Sequence, residues 1–118
     1  MSKEKQILLV TREPWLMHSS VLQSQGYQVE VAGSIDDGRS LWRARKYDLV
    51  LIMVNGDLSK AIEFCEEVKR ADTSQMVALL AGWHTYVPED SCPDDVIDRA
   101  DPGLFVSKVS TLIGLALN

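Results

Sequence analysis

The chain has little of what metal centres, disulfide scaffolds and membrane spans are made from. It holds two cysteines, Cys65 and Cys92, and two histidines, His18 and His84. There is no C-x-x-C, and neither histidine has a cysteine or a second histidine at metal-ligand spacing, so no structural metal is expected. Cys65 fits the apolar face of a helix, and Cys92 falls in a loop stretch. No G-x-G-x-x-G follows a strand pattern, which removes the dinucleotide fingerprint. No loop ending in Lys-Ser or Lys-Thr is present to cradle phosphate. Nor is a serine or cysteine nucleophile paired with histidine in a local signature, so no enzyme activity and no cofactor are expected. Positive charge is also scarce: 12 Lys and Arg stand against 17 Asp and Glu, a formal net charge of −5. Nucleic-acid binding needs a basic face and is not expected of this chain alone. The longest apolar run near the start, Ile7-Leu8-Leu9-Val10, is too short for a signal peptide or a membrane span, which points to a cytoplasmic protein.

What is present is ordinary globular material. With 118 residues, 46% hydrophobic and 25% charged, the chain matches the commonest size of one domain and can bury a core without staples. A single domain over 1–118 is expected, with no internal repeat, linker or low-complexity segment.

Strand and helix patterns alternate along it. Gln6 to Val10 is strand-like. Pro14 suits the first turn of a helix and Gly26 its stop, with Met17, Val21 and Leu22 at helical spacing between them. Tyr27 to Ala32 alternates as a short strand. Ser34 is a candidate N-cap, with Asp36 and Asp37 in the first turn, for a helix reaching about Lys46 and turning Leu41 and Trp42 inward. Leu49 to Val54 is apolar at consecutive positions, the mark of a strand covered on both faces of a parallel sheet. Ser59 can cap the next helix, whose inner stripe is Ala61, Ile62, Cys65 and Val68. Met76 to Leu80 is a fourth strand. From Gly82 to Asp95 the period fails, and two prolines and four acids imply a loop with at most one helical turn. Val96-Ile97 forms a short fifth strand. Asp101-Pro102 starts the last helix, with Phe105, Val109, Leu112, Ile113 and Ala116 along one face.

Five strands alternating with four or five helices imply an α/β fold, a doubly wound parallel sheet with its fourth helix short or missing. In such sheets ligands bind beyond the carboxyl ends of the strands, where strand order reverses. The places to inspect are Thr11 to Glu13, Met53 to Asp57, Ala81 to Trp83 and Asp98 to Ala100. The paired acids Glu66-Glu67 and Asp94-Asp95 read as solvated surface.

Five segments in order carry a resemblance. Gln6-Ile7-Leu8-Leu9-Val10-Thr11-Arg12-Glu13-Pro14 resembles the Ile-Leu-Leu-Val-Asp-Asp-Glu-Pro that opens the receiver domain of bacterial response regulators, the fold of CheY. Tyr47-Asp48-Leu49-Val50-Leu51-Ile52-Met53 is similar to that family's Pro-Asp-Leu-Val-Leu-Leu-Asp, and Ala61-Ile62-Glu63-Phe64-Cys65 to its Gly-Leu-Glu-Leu-Cys. Val77-Ala78-Leu79-Leu80-Ala81-Gly82 resembles its Val-Ile-Met-Leu-Thr-Ala, and the tail from Val96 its last strand and helix.

The resemblance implies a site whose chemistry has been replaced. The phosphoacceptor position holds Met53. The metal-binding acids become Thr11 and Arg12, leaving the neighbouring Glu13. The hydroxyl residue that follows the phosphate becomes Ala81, the swinging aromatic Val96, and the lysine that pairs with the phosphorylated aspartate Arg99. A thioether neither accepts a phosphoryl group nor offers Mg²⁺ a hard oxygen. The fixed charge of Arg12 opposes a cation there: two unit charges about 4 Å apart interact by roughly 4 kcal/mol at an effective dielectric near 20. Arg12 either pairs with Glu13 or Asp57 in place of the metal or points into water. The implied function is a pseudo-receiver: a signal-transduction and interaction module independent of phosphorylation. Its partner would be a protein, whether a kinase, an output domain or a second copy. Two alternatives stay open, a shifted acceptor such as Asp57 and a small-anion sensor using Arg12, Arg99 and Trp83. Trp15 and Trp83 are candidate contact residues, since tryptophan is enriched at interaction hot spots. Trp42 reads as core, and His18 as a partly buried, satisfied side chain.

Overall fold

The computed structural model describes residues 4–12, 17–54, 58–82, 85–88, 91–98 and 100–116. Strands β1 (Gln6–Val10), β2 (Gln28–Ala32), β3 (Leu49–Met53), β4 (Val77–Ala81) and β5 (Asp95–Asp98) form one parallel sheet in the order β2-β1-β3-β4-β5. Helices α1 (Met17–Ser24), α2 (Ile35–Ala44), α3 (Leu58–Ala71) and α4 (Pro102–Ala116) cover it. The order is the flavodoxin-like doubly wound one, reversing direction between β1 and β3.

The strand period of two sorts the core into two layers. Leu8, Val10, Val50, Ile52, Val77 and Leu79 face one side, where Ala61, Phe64, Cys65 and Val68 of α3 pack with partly buried Ile35, Leu41 and Trp42 of α2. Ile7, Leu9, Leu49, Leu51, Ala78, Leu80 and Ile97 face the other, against Leu22 of α1 and Phe105, Val109, Leu112 and Ile113 of α4. Both faces of β3 are therefore dry, and all five of its residues are buried. His18 is buried and meets the Phe105 ring edge-on, centroids 5.0 Å apart. Gly38 lets α2 lie close to β1: a Cβ there would stand 2.7 Å from Val10 Cγ2.

Local chemistry accounts for the helix ends. After α1, Gly26 adopts φ 93°, its N–H donates to Gln23 C=O and Tyr27 N–H donates to Leu22 C=O, the Schellman wrap that a glycine at this position allows. The Ser34 hydroxyl accepts from Asp37 N–H and caps α2 as expected, although the helix stops at Ala44, short of Lys46. Asp101 caps α4: Oδ1 accepts from Leu104 N–H at 3.0 Å, and Pro102 occupies the first helical position. The Ser59 cap is corrected, because α3 already begins at Leu58 and Ser59 lies in its first turn. Between β4 and β5 no helix forms among the described residues, and β5 extends one residue beyond Val96-Ile97 at each end.

Candidate functional site

Where strand order reverses, the ends of β1 and β3 open into a cleft of about 460 Å³. Its floor is Val10, Thr11 and Met53, and its walls come from the loop before α2 and from the first turns of α2 and α3. A doubly wound sheet must place a crevice here, because the connections from β1 and β3 leave toward opposite faces. Met53 is 5% exposed and Thr11 4%. The Thr11 hydroxyl donates to Met53 Sδ at 3.3 Å, a bond to a weak acceptor buried at the strand end. Backbone pairing holds both residues in place: Thr11 N–H donates to Ala32 C=O at 2.9 Å, and Val54 N–H to Leu80 C=O at 2.8 Å.

Charge lies on the walls. Arg39 Nε donates to Glu67 Oε1 and Oε2 at 3.0 and 2.8 Å, and Nη1 to Asp36 Oδ1 at 2.7 Å. Its guanidinium lies 5.8 Å from the centroid of Phe64 and is held above its ordinary pKa, first by the hydrogen bond to Glu67. Glu67 also meets Arg43 at 3.3 Å, so it bridges two arginines of α2 from α3. This corrects the reading of Glu66-Glu67 as plain surface: Glu66 is exposed, but Glu67 ties two helices together. Arg12 is exposed, and the ion pairs among the described residues do not include it. Its expected partners Glu13 and Asp57 lie outside the described residues, as do Arg99, Trp15 and Trp83.

The remaining expected positions are brought together only in part. Ala81, 3% exposed, ends β4 in register with Asp98 of β5. Val96 is half-buried on β5 and packs against the α2–α3 layer. Trp42 packs on the same layer at the far end of α2, and its Nε1 donates to Gln75 Oε1 at 3.0 Å.

A second cluster lies ahead of β5. Asp94 N–H donates to Val77 C=O and its Oδ2 accepts from Val77 N–H, both at 2.8 Å. The same carboxylate pairs with Lys69 of α3 at 2.7 Å. Asp95 meets Lys108 of α4 at 3.3 Å. These acids are therefore anchors rather than the solvated pair expected. Cys92 lies beside them, its sulfur 2.8 Å from that of Cys65. The available signal was a run of prolines and acids where a helix should stand, with one cysteine inside it.

No family model and no curated protein matches the chain. Solved structures do. A CheY-like response regulator receiver domain from Methanospirillum hungatei superposes with a TM-score of 0.82 at 17% identity, covering 97% of this chain and 97% of that one. The response regulator TrrA of Thermotoga maritima, in complex with Mg(2+)-BeF, gives 0.81 at 22% identity over 92% of this chain and 98% of that one. TrrA in complex with the histidine kinase ThkA gives 0.78 at 22% identity over 92% and 97%. The chain therefore has the fold of CheY-like receiver domains.

Proposed function

We propose that this chain is a receiver-like signal-transduction module that works without aspartyl phosphorylation, through contacts with another protein. The observation that supports it most is the buried Thr11–Met53 contact at the bottom of the strand-end cleft. Phosphoryl transfer to a receiver needs an acceptor oxygen and a cation to neutralise the phosphoryl oxygens. Met53 offers neither, and Thr11 spends a hydroxyl hydrogen on its sulfur. A ligand shifts a two-state equilibrium only through different affinity for the two states. With Met53, Thr11, Arg12, Ala81, Val96 and Arg99 at the positions that carry receiver chemistry, phosphate has few groups to act through, and the domain is neither an enzyme nor a metal binder. Binding of a protein partner is then the source of control. The kinase seated on TrrA shows that this architecture accepts a protein partner in that case. Trp15 and Trp83 are the contact residues proposed for it here.

The test is a titration with Mg²⁺ and beryllofluoride followed by amide chemical shifts. The expected result is no saturable shift at Thr11, Val54 or Gly82. Saturable shifts confined to those strand ends would overturn the proposal and favour a shifted acceptor, of which Asp57 is the candidate. The cleft itself favours a second reading, a small-anion sensor, because Arg12 stands on its wall. Arg39 is already held by Asp36 and Glu67, which weakens that reading. A thermal shift with phosphate, sulfate and nucleotides decides it: stabilisation by one of them supports a sensor, and none counts against it.

A further inference from the structure

Cys65 and Cys92 are far apart in the chain and adjacent in space. Cys65 is fully buried on the inner face of α3, and Cys92 is half-buried in the stretch leading to β5. Their sulfurs lie 2.8 Å apart, close enough for either thiol to donate to the other. That is about 0.8 Å more than a disulfide bond of about 2.05 Å. Three further contacts hold the stretch in place: the paired backbone and side-chain bonds between Asp94 and Val77, and the Lys69–Asp94 ion pair. The two thiols are therefore held together by a frame that does not depend on them. Among the described residues no group of three or more His, Cys, Asp or Glu side chains could hold a metal.

We propose that Cys65 and Cys92 are a reversible dithiol–disulfide pair whose oxidation fastens residues 91–94 to α3. The oxidant class is a small disulfide such as oxidised glutathione. The Cys92 thiolate attacks one sulfur of that disulfide, whose S–S bond breaks and releases one small thiolate. The Cys65 thiol then gives its proton to the departing small thiolate as its sulfur attacks Cys92 Sγ. The mixed disulfide breaks and the second small thiolate leaves, both taking up protons. Two protein thiols and one small disulfide become one protein disulfide and two small thiols. Cys92 takes the first step because it is the more accessible sulfur. Cys65 is buried, and burial pushes its thiol well above the ordinary range, so it serves as the resolving thiol.

The test uses the full chain in a series of reduced-to-oxidised glutathione ratios, quenched with N-ethylmaleimide and read by intact mass and peptide mapping. The expected product carries no maleimide, is lighter by two hydrogens, yields one peptide pair joining Cys65 to Cys92, and reverts with dithiothreitol. It melts roughly 10 °C above the reduced chain, as the closure of a loop of this length implies. Cys92→Ser, which changes the half-exposed sulfur and spares the core, abolishes the product and the shift. Two maleimides at every ratio would overturn the proposal. So would glutathione adducts or linked dimers as the sole oxidised species, or a disulfide that leaves the melting temperature unchanged.

Discussion

Two ends of this molecule solve opposite problems. At the ends of β1 and β3 the backbone is regular, and the buried side chains are uncharged: Met53 and Thr11 meet in a buried contact. Ahead of β5 the backbone is irregular, and the side chains have taken on specific partners: Asp94 with Val77 and Lys69, Asp95 with Lys108, Cys92 with Cys65. The floor of the crevice needs only packing and one side-chain contact, because the paired strands already fix its backbone. A connection whose described residues form no helix must have its backbone groups satisfied one at a time, because a buried N–H without a partner costs about 1–3 kcal/mol.

Breaking the crevice should cost most. Met53→Ala removes a thioether that is nearly fully buried, together with its contact to Thr11, so a loss of about 2–4 kcal/mol in urea unfolding is expected. A loss near zero would mean that the contact contributes nothing to the fold. Breaking the connection comes next. Asp94→Ala strips Val77 N–H of its side-chain acceptor and Lys69 of its partner, for an expected loss of about 2 kcal/mol. The comparison sharpens if amide exchange then rises at Val77 and Val96 and stays unchanged at Val10 and Ile52.

A site away from both regions supplies the pH arm. Tyr47, just ahead of β3, donates its hydroxyl to Glu30 Oε1 at 2.7 Å. Burial first, then this bond, raise its pKa above the ordinary phenol value. A raised folded value means that the unfolded chain ionises first. The stability contributed is therefore fully present below about pH 10 and is lost as pH rises through that value toward the folded one. Tyr47→Phe should cost about 1 kcal/mol at neutral pH and flatten the alkaline limb of the stability profile. An unchanged limb would assign that loss to other groups. The smallest effect is a gain. Gly114 lies exposed in α4 with nothing within 4 Å of a Cβ, so Gly114→Ala should stabilise by about 0.5–1 kcal/mol in thermal unfolding.

The elements were legible because their signals are local. The alternation of Ile7, Leu8, Leu9 and Val10 between two layers, the Ser34 and Asp101 caps and the Gly26 stop each depend on a few adjacent residues. The strand-end position of Met53 was legible for the same reason, since the end of the apolar run locates the end of β3. The ties ahead of β5 were not. Cys65 and Cys92 are 27 residues apart, and Val77 and Asp94 are 17 apart. No periodicity links such pairs. Glu67 hid for a related reason, because its partners Arg39 and Arg43 sit on another helix whose crossing the sequence does not state.

Intact mass after incubation with acetyl phosphate and Mg²⁺ tests most directly whether the strand-end cleft takes a phosphoryl group. The predicted spectrum is that of the untreated chain at every time point. A stoichiometric gain of one phosphoryl group, lost again on mild base treatment as an acyl phosphate is, would contradict it.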